Sequence, residues 1–470
     1  MKKSENASVI GKMMILEGLL LIAPLFLIPF FQREITYIWN FLIPALVSVV
    51  SGAIMCYIPV KNNLLNSSKV VVFSWIYGFF LASIPFYLHG GLTLVQALFE
   101  AVSGFTTTGL SVLDVEKVPQ TFLFYRSFLQ NIGGVGFVMT MLLFIQEKNS
   151  VDLYVAEGHP DKLMPNIGKT AKVIILMYGF FLVIGTMAYV VFGMPFFDSL
   201  LHTMCALSTG GFSNRMDSIG YYHSISIEII TIVLMLIGTT NFSFLLLLFK
   251  GKIKSFCRAS EIRFLAGLML VAIPFMALFL QQGGNSVLLS IRLAMFNAFS
   301  ATSTTGYATC SYNNWPETAL AIMILLMLIG GGIGSTAGGI KLGRVCILLK
   351  NLLKNIKKKM VPDRIVLLSY YHKGTEKELL ENKSVEEAFT YAGSYLIIYI
   401  IGTIALTFFA KCTLAEGAFE FASSLGTVGL TIGVTGKNTS AICLLIEMLG
   451  MILGRLEIFV LLKALCRKGN

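Results

Sequence analysis

Residues 105–111, FTTTGLS, decide how this chain folds, because three later stretches repeat them around one glycine each. The later copies are ALSTGGF at 206–212, STTGYA at 303–308 and GTVGLT at 426–431. The copies recur about every hundred residues, and a longer last interval indicates an insertion there. The anchor glycines of the four copies are Gly109, Gly210, Gly306 and Gly429.

Each copy has the same surroundings in the sequence. A long uncharged run comes first, then a short apolar half-span, the glycine stretch and a second long run. Irregular backbone between membrane helices is tolerated only where it is buried in protein or lines water. The pattern therefore predicts four re-entrant segments around one axis, and their half-spans lie at 92–103, 195–206, 287–302 and 414–425.

The composition also indicates a membrane protein. Of the 470 residues, 56% are hydrophobic and only 13% are charged, whereas soluble chains carry about 25% charged residues. A membrane helix needs about 20 mostly apolar residues, and the sequence contains ten such candidates. They lie at 10–31, 35–60, 70–99, 127–146, 173–197, 229–249, 264–291, 318–340, 388–410 and 439–465.

These runs predict an all-α polytopic membrane protein. It has four pseudo-repeats of helix, pore helix, filter and helix around one pore, preceded by two extra transmembrane helices. The predicted units are an N-terminal helix pair at 1–68, repeat one at 69–150, repeat two at 151–260, repeat three at 261–350 with an intramembrane loop at 330–341, a cytoplasmic insertion at 351–387, and repeat four at 388–470.

The formal net charge of +11 is compatible with a nucleic-acid partner, with anionic lipid or with cytoplasmic loops. The positions of the basic residues along the chain decide between these three explanations. If the N-terminus is cytoplasmic, most Lys and Arg residues fall in inside segments, so the charge is an orientation signal and no nucleic-acid partner is expected. The eight cysteines form no CxxC pair and indicate neither zinc nor disulfides.

Four glycine stretches that meet at one axis can aim backbone carbonyls at a cation. Rings of such carbonyls replace the hydration shell of potassium, and glycine allows backbone angles that a Cβ forbids. The sequence thus predicts a potassium filter, with potassium as the transported ion. Its residues are Thr107, Thr108, Gly109 and Leu110; Ser208, Thr209, Gly210 and Gly211; Thr304, Thr305, Gly306 and Tyr307; and Thr427, Val428, Gly429 and Leu430.

Several longer stretches resemble the superfamily of Trk, Ktr and HKT potassium transporters, and most of all its TrkH/TrkG branch. Two spans precede the first repeat, as in that branch. The matching stretches are YRSFLQNIGGVGF at 125–137, HPDKLMPNIGKTAK at 159–172, ALSTGGFSN at 206–214, STTGYATCSYNNWP at 303–316, GGGIGSTAGGIKLGRV at 330–345 and GRLEIF at 454–459.

The resemblance implies a potassium-uptake subunit of the bacterial inner membrane that forms a homodimer in membrane lipid. It also implies gating by a TrkA-like cytosolic subunit that binds nucleotide, since this chain has no nucleotide domain of its own. By analogy with the related plant transporters, glycine at Gly109 favours potassium over sodium.

The stretch GGGIGSTAGGIK at 330–341 is a weak match to nucleotide loops, because no strand precedes it. It is either a flexible kink of small, helix-packing residues or, as the resemblance implies, an intramembrane gate beneath the filter. The gate residues are Gly332, Gly334, Ser335, Thr336, Ala337, Gly338, Gly339 and Lys341, together with Arg455.

Arg455 lies deep in the last predicted span, where a buried cation requires water or a carboxylate. Glu457 and Glu447 are the candidate carboxylates for an ion pair. The resemblance implies a different role, in which Arg455 lies beside the intramembrane loop and forms part of a barrier to cations.

Polar residues also occur on the pore helices. Glu100, Asn297 and Glu420 each stand nine residues before their anchor glycine, and repeat two has Leu201 there with His202 beside it. Such carboxylates either attract cations or bind backbone amides behind the filter, and we favour the second role.

The insertion combines Lys350, Lys354 and three consecutive lysines at 357–359 with a later acidic stretch. This pattern predicts a solvated helix hairpin at an anionic membrane surface, and the resemblance implies that a regulatory subunit docks on this side.

Other functions fit less well. Ion-coupled symporters with broken helices usually have two repeats, often inverted, although the residues alone leave proton or sodium coupling open. A Ktr-type sodium and potassium transporter is a further alternative. A membrane enzyme requires convergent catalytic or metal-binding side chains, and the sequence shows no such cluster, so the chain is not expected to be an enzyme.

Overall fold

The computed structural model describes residues 5–57, 67–136, 167–362, 367–373 and 376–465. These residues form eighteen α-helices and one β-hairpin, which confirms the predicted all-α membrane fold. The second half of the predicted span at 127–146, the boundary at 150/151 and part of the motif at 159–172 lie outside the described residues.

Two helices precede the repeats, α1 (Glu5–Leu20) and α2 (Ile38–Tyr57). They cross closely because glycines meet at the contact. A Cβ on Gly11 would overlap the Gly52 carbonyl oxygen, and a Cβ on Gly52 would overlap the Gly11 carbonyl oxygen. Small residues at such a contact allow membrane helices to pack closely without a hydrophobic driving force.

The four repeats follow in order. Repeat one contains α3 (Ser67–His89), α4 (Leu94–Phe105) and α5 (Gln120–Val135); repeat two contains α6 (Ile167–Val191), α7 (Phe196–Leu207), α8 (Ile225–Thr239) and α9 (Phe242–Phe249). After α10 (Ile253–Arg258), repeat three contains α11 (Ser260–Gln282), α12 (Val287–Ser303), α13 (Glu317–Ile329) and α14 (Leu342–Lys358). Repeat four contains α15 (Asn382–Ala410), α16 (Leu414–Leu425), α17 (Ala441–Arg455) and α18 (Ile458–Leu465).

The second helix of each repeat (α4, α7, α12 and α16) is too short to cross a bilayer. These helices have 12, 12, 17 and 12 residues, whereas a crossing takes about 20. Two of them begin with a capping box, at Thr93 with Gln96 and at Thr413 with Glu416, which satisfies free N–H groups at the helix start. All four end at the glycine stretches, so we call them the pore helices.

In repeats two, three and four the helix that follows the glycine stretch is interrupted. This corrects the prediction of continuous spans at 229–249 and 439–465, whereas the span at 318–340 is interrupted where the sequence predicted the loop at 330–341. Helix α8 bends by 113° into α9, α13 stops at Gly330 (φ 71°), and α17 ends just before Glu457 (φ 53°). Helix α5 likewise ends at Gly136 (φ 99°). The apolar runs did not reveal the breaks after α8 and α17, because apolar residues continue on both sides of them.

Within the described residues, six helices are long and apolar enough to cross a membrane, and the bent α8–α9 pair makes a seventh candidate. Large apolar side chains such as Leu270, Leu288 and Phe408 lie three-quarters or more exposed on the protein surface. The chain is therefore a multi-pass membrane protein with a lipid-facing exterior.

The insertion differs from the predicted helix hairpin. Helix α14 is followed by an antiparallel hairpin of β1 (Tyr370–Lys373) and β2 (Glu376–Leu379). The hairpin packs on the start of α11, where the Tyr371 hydroxyl donates to Glu261 (3.0 Å) and the His372 N–H donates to the Ser260 hydroxyl (2.9 Å). Two consecutive tyrosines, Tyr370 and Tyr371, favour a strand here over a second helix.

Candidate functional site

The backbone makes the same turn after each pore helix. Thr107, Thr209, Thr304 and Thr427 have left-handed φ values of 57°, 52°, 54° and 51°. Each of these threonines donates its N–H to the carbonyl three residues earlier, at Gly104, Ala206, Ala301 and Ser424. Two residues after each threonine stands a glycine with positive φ, and these are Gly109 (96°), Gly211 (70°), Gly306 (79°) and Gly429 (93°).

The shared turn changes the alignment of the filter segment of repeat two with those of the other repeats. The segment that matches the other three is Thr209, Gly210, Gly211 and Phe212, one residue later than the predicted Ser208 to Gly211. The sequence offers two adjacent glycines there, and only Gly211 has the positive φ of the other anchor glycines. The same shift places His202, rather than Leu201, nine residues before the glycine.

The four segments close into a ring. A Cβ on Gly109 would overlap the Gly210 carbonyl oxygen, and one on Gly211 would overlap the Thr305 carbonyl oxygen. In the same way Gly306 faces the carbonyl of Val428, and Gly429 faces the carbonyl of Thr108. Repeats one, two, three and four therefore meet in cyclic order. We call the carbonyls of Thr108, Gly210, Thr305 and Val428 the carbonyl ring.

A cavity of about 450 Å³ lies on one side of the ring, and the four glycines with positive φ line it, namely Gly109, Gly211, Gly306 and Gly429. Its other lining residues include Arg126, Arg215, Asp217 and Cys310. The cavity is polar and large enough to hold many waters. Hydrated ions therefore have room to reach the ring from this side.

The loop at 330–341 covers the opposite side of the ring. The Thr209 hydroxyl donates to that of Thr336 (3.0 Å), and the Gly338 N–H donates to the Thr304 hydroxyl (2.8 Å). A Cβ on Gly338 would overlap the Thr427 hydroxyl. In the part of the chain that the structure describes, the buried hydroxyls of Thr107 and Thr427 have no hydrogen-bond partner.

The predicted gate residues thus lie together beneath the ring. Ser335, Thr336 and Ala337 are buried, and the Gly332 N–H donates to the Thr239 carbonyl at the bend between α8 and α9 (3.0 Å). Gly334 (φ 70°) and Gly339 (φ 80°) adopt left-handed angles, which explains why glycine occurs at these turns. The Lys341 ammonium donates back to the Ala337 carbonyl.

Arg455 reaches the loop from the end of α17. Its guanidinium donates to the Thr336 carbonyl (2.5 Å) and to the carbonyls of Gly133 and Gly134 at the end of α5. The two carboxylates considered for an ion pair have other partners. Glu457 pairs with Arg344 (3.0 Å), and Glu447 accepts from the Thr435 hydroxyl (2.7 Å).

Comparison with known proteins identifies the family to which this architecture belongs. The model of the TrkH family, described as cation transport proteins, matches residues 60–466. The chain belongs to the TrkH family. This membership places it among transport proteins rather than enzymes.

Individual relatives match this chain over most of their length. An uncharacterized cation transporter of Methanocaldococcus jannaschii is 30% identical, over 96% of this chain and 94% of the relative. The Trk system potassium uptake protein TrkH of Escherichia coli is 29% identical over 84% of this chain and 83% of its own length. The crystal structure of the potassium transporter TrkH from Vibrio parahaemolyticus superposes with a TM-score of 0.85 at 24% identity, covering 98% of this chain and 99% of that one. That similarity shows the fold.

Polar groups buried behind the ring of this TrkH-family chain hold the filter segments. In repeat one, the Glu100 carboxylate accepts from the N–H groups of Val112 (2.6 Å) and Leu113 (3.2 Å) and pairs with Arg126 (3.3 Å). In repeat four, Glu420 accepts from the N–H groups of Ile432 and Thr435. Both carboxylates bind backbone amides, as expected for a structural role.

Repeats two and three use neutral groups at the same position. The His202 Nε2 lies 3.0 Å from the Ser213 hydroxyl. The Asn297 amide donates to the Thr309 hydroxyl (3.3 Å) and accepts from the Tyr312 hydroxyl (2.7 Å). The four repeats therefore support equivalent filter segments with different types of side chain, namely carboxylates, a histidine and an amide.

Sequence reasoning missed several supporting residues. The uncharged run that begins after Arg126 does not single out this residue. A single arginine in a membrane segment nevertheless requires a partner. Ser103 and Ser423, each six residues before an anchor glycine, accept the N–H of Gly109 and of Gly429, both at 3.0 Å. Once the repeats are aligned, this recurring serine is visible in the sequence.

Proposed function

We infer that this chain conducts potassium ions across the membrane through the carbonyl ring. The cyclic contact of four equivalent backbone segments is the observation that carries this function, because a ring of backbone carbonyls coordinates a dehydrated cation. The polar cavity on one side provides access for hydrated ions. Curated relatives that match most of the chain are named potassium uptake proteins of the Trk system, which supports potassium as the ion.

The loop at 330–341 is the proposed gate. It blocks the approach to the ring by contacting Thr209, Thr304 and Thr427, and Arg455 ties it to the ends of two other helices. Hydrogen bonds to a charged donor are stronger than neutral ones, about 1.5–3 kcal/mol each. The contacts of Arg455 and of the threonines join the loop to several helices, so a movement of α13, α14 or α17 would change them together.

The proposed docking surface for a cytosolic regulatory subunit consists of α14 and the β-hairpin. Helix α14 carries Lys350, Lys354 and the lysines at 357–359. The pKa of His372 lies below its ordinary value, because of burial and then the nearby charges of Lys350 and Arg263. Such a cationic surface fits a partner with acidic groups. The homodimer expected from the family resemblance stays a prediction.

Ion flux into liposomes tests the function. The full-length chain is reconstituted, and rubidium uptake is measured against an outward potassium gradient, with and without an imposed proton or sodium gradient. A channel conducts in either condition, with sodium flux much lower than rubidium flux. Uptake that requires the proton or sodium gradient would indicate a symporter instead, and equal sodium and rubidium fluxes would contradict potassium selectivity.

A further inference from the structure

Helix α5 of repeat one holds the filter segment of the next repeat. Gln130, fully buried on this helix, donates from Nε2 to the Gly210 carbonyl (2.5 Å) and accepts at Oε1 from the Phe212 N–H (3.0 Å). A single side chain thus brackets the anchor glycine Gly211 on both sides. The Gly210 carbonyl is also one of the four oxygens of the carbonyl ring.

A second side chain of α5 supports the same segment. Arg126 lies one helical turn before Gln130 and therefore on the same face. Its guanidinium donates to the Ser213 carbonyl (3.3 Å) and lies 4.0 Å from the centre of the Phe212 ring. Residues 210–213 are therefore held by a neighbouring repeat.

Repeats one and four hold their anchor glycine in a way that repeat two cannot. Ser103 and Ser423 accept the anchor-glycine N–H from within their own pore helix, whereas repeat two has Cys205 at the equivalent position. A thiol is a weak hydrogen-bond acceptor. Among the described residues, Gly210 is the one member of the carbonyl ring that accepts a side-chain hydrogen bond.

We propose that Gln130 is a specificity-determining residue that weakens one of the four carbonyl ligands and thereby favours the larger ion. The inference rests on the proposed function of the ring. Selectivity between potassium and sodium depends on the number and field strength of the coordinating carbonyls. An N–H donor that shares the Gly210 oxygen with the ion lowers the field of that oxygen, and a weaker field disfavours the smaller sodium ion.

The test compares sodium and rubidium flux in liposomes for Gln130→Leu, which is similar in volume and removes both hydrogen bonds. Sodium flux relative to rubidium flux is expected to rise about twofold or more, the factor that corresponds to the weaker end of a hydrogen bond's net contribution. Gln96→Leu is the matched control. Its amide also donates to a backbone carbonyl, that of Lys437 (2.9 Å), but away from the ring, so its flux ratio is expected to stay unchanged.

Gln130→Glu keeps the size of the side chain, replaces the donor with an oxygen, and serves as a second variant if Gln130→Leu does not fold. An unchanged flux ratio in a folded variant, or an equal change in Gln96→Leu, would overturn the inference. Loss of total flux at an unchanged ratio would show a purely structural role and would also overturn it. Wild-type protein that does not discriminate rubidium from sodium would instead refute the proposed function.

Discussion

The filter segments and the loop at 330–341 are both irregular, glycine-containing backbone inside the membrane, yet they are held in opposite ways. Each filter segment is fastened from behind by buried groups such as Glu100, Gln130 and Glu420. The loop is fastened mainly by backbone carbonyls, by filter hydroxyls and by the long side chain of Arg455. Glycine therefore provides close approach in both regions, while the polar groups that hold them differ. Under the proposed gating, this difference keeps the filter rigid and lets the loop move.

The largest expected effect comes from breaking the support of the filter. Arg126 and Glu100 are 2% and 0% exposed, so Arg126→Met leaves a buried carboxylate without its counter-ion. We expect the free energy of unfolding in detergent to fall by about 3 to 5 kcal/mol. The double variant Arg126→Met/Glu100→Gln is expected to recover part of this loss. A single variant as stable as the wild type would show that the filter is not fastened through this pair.

The second prediction concerns the ring itself. Gly211→Ala is expected to lower rubidium flux by about tenfold or more, because the new Cβ meets the Thr305 carbonyl and the residue must keep a positive φ. Gly179→Ala is the matched control, since a Cβ on Gly179 of α6 meets no atom within 4 Å. Normal flux in a folded Gly211→Ala protein would refute the corrected register of repeat two.

The third prediction tests whether the loop is displaceable. Arg455→Ala removes the donors to the carbonyls of Thr336, Gly133 and Gly134, so the basal rubidium flux without a regulatory partner is expected to rise about fivefold. Arg292→Gln controls for the loss of a partly buried arginine, because Arg292 pairs with Glu228 (2.6 Å) outside the loop. If Arg455→Ala leaves basal flux unchanged, the loop is as rigid as the filter and is not the gate.

The smallest expected effect concerns access from the side opposite the loop. Cys310 lines the 450 Å³ cavity, so a cationic thiol reagent added to the side on which the cavity opens is expected to reduce rubidium flux by about half through charge repulsion. The Cys310→Ser protein is expected to be insensitive. Equal inhibition of both proteins would place the reactive thiol elsewhere and would contradict an open approach to the ring through this cavity.

The sequence repeats predicted the four pore helices and their glycine stretches well. Short apolar half-spans followed by threonine and glycine residues are easily recognised in an otherwise apolar chain. The register of repeat two was wrong because Gly210 and Gly211 are chemically identical, and only their φ angles distinguish them. The break after α8 was missed because apolar residues flank Thr240 and Asn241 on both sides. The hydrogen-bond partners of Arg455 could not be predicted, because they are backbone carbonyls and every residue type has one.

Anomalous scattering from rubidium ions bound to the protein tests most directly whether the carbonyl ring coordinates the transported ion. A rubidium peak is expected on the axis of the carbonyl ring, within coordinating distance of the carbonyl oxygens of Thr108, Gly210, Thr305 and Val428. The Gly210 oxygen is expected to be the weakest ligand. Rubidium peaks confined to other parts of the molecule, with the ring empty at saturating rubidium, would contradict coordination by the ring.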